Sequence, residues 1–450
     1  MKTKVELLGY VNDTQAVTTA GALGCFEEKS SIEILNELLL LPVEKRLAKE
    51  RVVLKNSFGM GHGSVGDQSY FIFGIENLPR LTTLELCSLP YLAHLQQSLR
   101  RAKADRGYWL PPEMDSFSTV GRKTKDVLDK SFALYEEMLA AGVPGEDARF
   151  ILPLATYTNI QTAGTARELS HLKKMAEKSI SPVINKQVVE RMITLASEQA
   201  PALFEDYGSN YEEIFWYPSP QLFAGKNETL TYLINQLRHS SEDVILVGKS
   251  VPELFNSLLM QKEIDRAIAD RDEAFLSSLK HVHFTFLSRM SLAALHQAIR
   301  QRTWDHSIEP ISSAALRYLY DGDVVILPPS IKKSKQRESF YRQCEDMGYL
   351  FEFLNTPNVK AGLSDGASLG VLPHSLSIYT LVHVNGWNAI HSIGKRTCTS
   401  AQWEIRNIAK AMARIIKEEA PFLAKWCEPQ CIVIGRCPEK EDCGYYKKRK

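Results

Sequence analysis

The stretch RFILPLATYTNIQTAGT, residues 149–165, has a counterpart in LGVLPHSLSIYTLVHVN, residues 369–385, with Leu152-Pro153 and Leu372-Pro373 220 positions apart (372 − 152). Tyr157-Thr158 follows the first pair and Tyr379-Thr380 the second. The offset recurs outward, pairing Thr165 with Asn385, His171 with His391, and Ala200-Pro201 with Ala420-Pro421. Earlier, Trp109-Leu110-Pro111-Pro112 matches Ile326-Leu327-Pro328-Pro329, and Tyr70-Phe71-Ile72-Phe73 resembles His283-Phe284-Thr285-Phe286. An ordered series of matches marks a duplication, which decides the fold before any single element does.

Each copy reads as a strand (VELLGY at Val5, VILVGK at Val244, both expected to be short and buried) and then a long helix. An alternating strand around Ser69–Ile75, a helix, an LPP turn and amphipathic helices such as Asn185–Glu198 and Ala401–Ala420 complete it. Few strands among many helices predict an α+β unit, a small antiparallel sheet covered by helices. The organisation is a first repeat over 1–215, a linker over 216–240 rich in chain breakers, a second repeat over 241–426 and a Cys-rich tail over 427–450.

Composition narrows the function. In 450 residues, 54 Lys and Arg balance 53 Asp and Glu, so no overall basic field points to nucleic acid. No apolar run approaches a membrane span, and MKTKVELLGYVNDTQ lacks a leader's apolar core, so a cytoplasmic protein is expected. Eight cysteines are too few for a disulfide scaffold. Four of them, Cys427, Cys431, Cys437 and Cys443, crowd the tail, where they could bind zinc or an iron–sulfur cluster or remain free thiols.

Gly61-His62-Gly63-Ser64-Val65-Gly66 has the spacing of a dinucleotide loop but precedes a strand instead of joining a strand to a helix, so a Rossmann reading fails. Arg300-Gln301-Arg302 follows a helical stretch, Ser291–Ile299. Its two guanidiniums could converge on a diphosphate where a helix ends, or simply be solvated. Gln96, Ser98 and Arg100 could clamp a phosphate or cover a polar surface. Arg149 and Arg396 could each stabilise an anion or cap a helix end. No cysteine or serine lies in a recognisable nucleophile context, and no Walker-type loop is present.

Together these elements resemble the flavin-dependent thymidylate synthase family, whose motif is Arg-His-Arg followed by Ser, Asn, Glu or Gln, Ser and Arg at fixed spacing. GHGSVGDQSYFIF, GVPGEDARFILPLATYT and SAQWEIRNIAKAM are close to the family's flanking patterns. Neither copy carries the motif whole. Aligning Ser88–Arg101 on Arg300–Ser313 (300 − 88, an offset of 212), the first copy has Ser88-Leu89-Pro90 for Arg-His-Arg but keeps Gln96, Ser98 and Arg100. The second keeps Arg300 and Arg302, with Gln301 for His, but has Ile308, Pro310 and Ser312 at the later positions. Arg149 faces Leu369 in the second copy, and Asn385 and Arg396 face Thr165 and Ala176 in the first.

The resemblance implies reductive methylation of dUMP to dTMP with FAD, NADPH and methylenetetrahydrofolate, at one composite site per pair of unlike repeats. A homodimer would then mimic the family's tetramer. It implies that Arg396 is catalytic and favours the deprotonated uracil ring. Gln297, Arg300, Gln96, Gln97, Ser98, Leu99, Arg100 and Arg149 would bind substrate. Arg300, Gln301, Arg302, His62, Ser64, Asn385 and His391 would hold the flavin. Gln301, Asp305 and Trp387 depart from the family pattern, which keeps two alternatives open: a related flavin-dependent change to a pyrimidine nucleotide, or a catalytically silent nucleotide binder.

Overall fold

A computed structural model describes residues 2–114, 117–205, 222–223, 225, 227–238, 240, 242–256, 259–321 and 325–449. It is an α+β protein with two four-stranded sheets of the same topology, ordered β1-β2-β4-β3 and β5-β6-β8-β7. The strands are β1 (Lys4–Tyr10), β2 (Phe71–Pro79), β3 (Ala93–Gln96) and β4 (Tyr157–Gly164), then β5 (Val244–Ser250), β6 (His283–Ser291), β7 (Asp305–Ile308) and β8 (Ser377–Asn385). All pairings are antiparallel.

The sheet registers carry the duplication. Ala93 faces Ala163 in the first sheet and Asp305 faces His383 in the second, reproducing offsets of 212 (305 − 93) and 220 (383 − 163). Both opening strands bulge at one place, between Leu7 and Gly9 and between Leu246 and Gly248. The caps agree as well: Thr165 and Asn385 share φ −85°, ψ 165°, and each accepts a backbone N–H three residues on. Register does correct one match, because Tyr157 pairs at the end of β2 as Ser377 does at the end of β6, so Tyr157 and Tyr379 are not equivalent.

Two local expectations change. VELLGY and VILVGK form strands but not buried ones. Each lies at a sheet edge, paired on one side only, so β1 alternates half-buried with exposed residues. The long helix after β1 is three helices, Thr14–Leu23, Ser31–Leu40 and Val43–Lys55, with Gly24 capping the first and Pro42 preceding the third. The core of each sheet is the inward row of the central strand, Phe71 and Phe73 in one copy and Phe284 and Phe286 in the other, all fully buried. Each sheet is packed by a helix, Val183–Ser197 on β1 and Trp403–Glu419 on β5 and β6.

Cα packing divides the chain into one unit of Met1–Ser219 with Ser334–Leu372, and another of Pro220–Lys333 with Pro373–Lys450. The first unit therefore includes a segment of the second copy. Its Arg337–Leu354 helix packs along Thr119–Ala140, with Gln343 donating to the Val127 carbonyl at 2.8 Å. Of the stretch read as a linker, 216–221 lies outside the described residues. Glu228–Arg238 is a helix whose Leu230, Ile234 and Leu237 pack on Leu287 and Tyr379.

Where each copy lost a motif residue, a polar network holds the place. Glu85, at the position of Gln297 (297 − 85, the offset of 212), is buried and accepts from Ser181 at 2.9 and 3.0 Å and from Asn185. Burial pushes its carboxyl up to about 7, against those hydrogen bonds. In the second copy Glu309, beside the substituted Ile308 and Pro310, is buried with Arg317, which donates to it at 3.0 and 2.9 Å. The Tyr379 amide donates to the same carboxylate.

Two outcomes follow for stability. An isolated Glu309→Ala change strands the Arg317 cation and should lower unfolding free energy by about 3 kcal/mol or more in urea titrations. Adding Arg317→Met should recover much of the loss; equal losses in the single and double variants would contradict the pair. For Glu85, the unfolded chain releases the carboxyl proton near 4.5 and the folded one near 7, so stability falls as pH rises through that window. The stability gap between wild type and Glu85→Gln should change by on the order of 3 kcal/mol between pH 4.5 and 7.5. A gap independent of pH would contradict the burial argument.

Candidate functional site

The residues named from sequence fall into two clusters, one in each compact unit. In the first, β3 ends at Gln96, whose Nε2 donates to Thr83 Oγ1 at 3.0 Å and so ties the strand to the Arg80–Leu86 helix. The Gln97 amide donates to the Asn159 carbonyl at 2.9 Å, anchoring the start of the loop on the β4 strand. Ser98 then makes a turn, its Oγ accepting from the Arg100 amide at 3.2 Å. Leu99 is in the core, so only its backbone can meet a ligand.

Glu146 joins the two cations that sequence placed 49 residues apart (149 − 100). Arg100 Nε donates to its carboxylate at 2.8 Å, and Arg149 Nε donates to its backbone carbonyl at 3.0 Å. Arg149 is 6% exposed. This geometry gathers Arg100 and Arg149, and through Thr83 it links Gln96 to the helix that begins at Arg80. A concentration of fixed guanidiniums with amide and hydroxyl donors suits a phosphate monoester.

Sequence reasoning missed Arg80 altogether. It is 5% exposed, and burial, with Arg149 as the next influence, draws its guanidinium down to about 9, so it remains a cation at neutral pH. The available signal was the repeat itself, because the twin of Arg80 is Leu292 (292 − 80, again 212).

His62 and Ser64 are exposed on the short Gly63–Gly66 turn of the same unit. Arg167 packs over that turn so closely that a Cβ at Gly63 would lie 2.7 Å from its Nε, and the guanidinium is held by Asp67 at 2.9 Å. A side chain at 63 would have to displace the outer part of the Arg167 side chain.

The second cluster is the turn after the Leu292–Ala298 helix, Arg300–Trp304, braced on the segment that follows β8. Trp304 Nε1 donates to Ser392 Oγ at 2.6 Å and Asn388 Nδ2 to the Thr303 carbonyl at 3.3 Å. Gln301, with its amide oxygen facing Arg396, accepts from that guanidinium's Nε at 2.8 Å and from its Nη2. Asn385 caps the segment, accepting from the Asn388 amide at 2.9 Å. Residues Ala389–Ile393 form a π turn that carries His391 at the surface, its imidazole lowered by partial burial and by Lys395.

Arg300, Gln301, Arg302, Asn385, His391 and Arg396 are thus brought onto one braced surface, with Gln297 on the helix leading to it. Arg302 is exposed and Arg300 half-buried on a fixed turn, a donor set that fits a diphosphate. Asp305 is also exposed and can turn away from it. Gln301, which the resemblance places with the cofactor, also meets the catalytic candidate Arg396.

For the Cys-rich tail the sequence leaves two expectations, a metal site or thiols without one. Among the described residues, no three His, Cys, Asp or Glu side chains form a set that could hold a metal ion, and none of the eight cysteines is in a disulfide. Cys431 lies within electrostatic reach of Cys398, Cys437 and Cys443. Cys427 is fully buried elsewhere in the tail, its thiol pushed up to about 12 by burial, which opposes the thiolate a metal needs. Among the described residues, no helix is long and apolar enough to cross a membrane.

Two cavities of about 760 and 740 Å³ occupy equivalent places, one per copy. Asn407 and Ile408 line one, and their twins Gln187 and Val188 line the other. Neither takes in any of the candidate site residues read from sequence.

The chain is similar to several known proteins. The flavin-dependent thymidylate synthase of Nitratidesulfovibrio vulgaris is 30% identical over 251 residues, covering 52% of this chain and 96% of that protein. The enzyme of the same name from Geobacter sulfurreducens is 32% identical over 172 residues, covering 36% and 68%. A solved UMP/dUMP methylase, PolB from Streptomyces cacaoi bound with 5-Br dUMP, is 19% identical and covers 46% of this chain and 95% of that one, at a TM-score of 0.38. The family model described as thymidylate synthase complementing protein matches residues 6–202 and again 233–422. Two matched segments and two sheets of one strand order lead to one conclusion: this chain is a tandem member of the thymidylate synthase complementing protein family.

Proposed function

We propose that the chain is a flavin-dependent enzyme that reductively methylates dUMP to dTMP, using methylenetetrahydrofolate and NADPH, with each repeat supplying the groups its twin has lost. The observation that carries this reading is the partition of side chains. Gln96, Ser98, Arg100 and Arg149 persist in the first copy, and Gln297, Arg300, Arg302, Asn385 and Arg396 in the second. Polar networks at Glu85 and Glu309 occupy positions where the other copy keeps, or adjoins, its functional groups. Random loss would not leave both halves complementary. On this reading a homodimer carries half as many sites as a tetramer of single-repeat chains.

The first-copy cluster holds the nucleotide's phosphate. Arg100 and Arg149 supply charge, Ser98 a hydroxyl, and Gln96 fixes the strand end. Arg396 stands beside the pyrimidine and stabilises the ring anion formed on loss of its N3 proton, raising electron density at carbon five without an enzyme thiolate. A bidentate hold from Gln301 keeps that guanidinium in place. Gln301 has no titratable proton, so this support persists across the physiological pH range, unlike that from a histidine. Arg300, Arg302, Asn385 and His391, with His62 and Ser64 of the first copy, are the groups that would hold FAD, which supplies the hydride when bound.

A related modification of a pyrimidine nucleotide is the second reading. It is favoured by the Gln301–Arg396 contact and the acidic Asp305, both of which alter the family's site.

Purified protein reconstituted with FAD should show flavin absorbance and form dTMP from dUMP, methylenetetrahydrofolate and NADPH. Arg100→Ala and Arg396→Ala should each reduce kcat/KM by at least about 100-fold, the loss expected when a charged substrate contact is removed. Ser88→Ala and Ser312→Ala, at the degenerate positions, should stay within a few fold of wild type. Wild-type turnover in either arginine variant would overturn the proposal. Flavin oxidation by dUMP without dTMP would move the assignment to the second reading.

A further inference from the structure

The twins of the two buried arginines change together. Arg80 and Arg149, in the copy that retains Gln96, Ser98 and Arg100, correspond to Leu292 and Leu369 in the copy that has lost those residues. Both leucines are buried, Leu292 completely. The backbones around the first pair match: the Arg80 amide donates to the Thr156 carbonyl at 3.0 Å, and the Leu292 amide to the Leu376 carbonyl at 3.1 Å. The fold therefore builds this place equally well with an apolar side chain, so an arginine is not needed there for folding.

Arg80 is a costly way to fill it. The side chain is 5% exposed, its Nε is buried, and its guanidinium makes no hydrogen bond or ion pair among the described residues. The charged groups that act on it are the Arg149 cation and the Cys87 thiol, and no carboxylate is among them. A buried cation within the field of a second cation is unfavourable until an anion joins it. The surroundings are those of the phosphate cluster. Thr83, on the same helix, accepts from Gln96 at 3.0 Å and donates to the Arg80 carbonyl at 2.8 Å, while Arg149 shares Glu146 with Arg100.

We propose that Arg80 and Arg149 form a buried, two-guanidinium site for a phosphate group, with Arg80 the innermost ligand of the nucleotide's 5′-phosphate. Identifying that phosphate as dUMP's rests on the function proposed above. The anion site itself does not, because its chemistry would equally accept inorganic phosphate.

The test is a thermal-shift and calorimetric comparison of the full chain with inorganic phosphate, dUMP and deoxyuridine. In the wild type, inorganic phosphate should raise the melting temperature and compete with dUMP. Arg80→Met should leave the ligand-free protein at least as stable as wild type, yet weaken both phosphate and dUMP binding by about 10- to 100-fold, the range expected for hydrogen bonds to a charged group. Arg80→Lys, which keeps the charge, should bind phosphate more tightly than Arg80→Met. If the Met variant does not fold, Arg80→Gln takes its place in the comparison. Phosphate binding that depends on Arg80, with no binding of dUMP, would keep the anion site and reject the nucleotide reading. Equal phosphate affinity in wild type, Arg80→Met and Arg80→Lys would overturn the proposal, as would a wild type that binds no phosphate.

Discussion

A buried charge must be answered, and this protein is organised around where that requirement is met within the chain and where it is not. Glu309 is answered by Arg317 and by the Tyr379 amide; Glu85 is answered by Ser181 and Asn185 and by a shift of its own protonation. Both networks stand in copies that have given up a set of functional side chains. Arg80 is the contrasting case, a buried cation for which the described residues offer no hydrogen bond or ion pair.

The sheets make this division possible. Because β2 and β6 pair with β4 and β8 in the same order, apart from one bulge between Ile75 and Leu78 in the first copy, equivalent backbone positions recur in each copy, and the side chains at them are free to diverge. A leucine and an arginine then occupy equivalent places at the end of the central strand, one completing a core and the other carrying charge. The turn at Arg300–Trp304 shows the converse, where Trp304, Asn388 and Gln301 fasten it to the Asn385–Arg396 segment within one copy.

Much of this was legible from the chain alone. The offsets of 220 and 212 read from Leu-Pro, Thr165 and Ser88 are those of the sheet registers, and the α+β class follows from few strands among many helices. The division of Arg100 and Arg149 from Arg300 and Arg396 was also visible, because motif residues sit at fixed spacing. The edge position of VELLGY was hidden, since a half-exposed edge strand and a buried one share the same apolar letters. The Gln301–Arg396 contact was hidden, because spacing says nothing about which neighbour an amide meets in space. Arg80 escaped because an arginine opening a helix ordinarily faces solvent, and only its burial and its leucine twin set it apart. Four clustered cysteines suggested a metal, but proximity in sequence did not place the Cys427 thiol with the others.

If two repeats share one set of functional groups, the number of nucleotides bound per chain is fixed. Calorimetric titration of the FAD-loaded protein with dUMP counts them directly. The account predicts one dUMP per 450-residue chain. Two per chain would mean that each repeat binds on its own, contradicting the division of labour on which the functional reading rests.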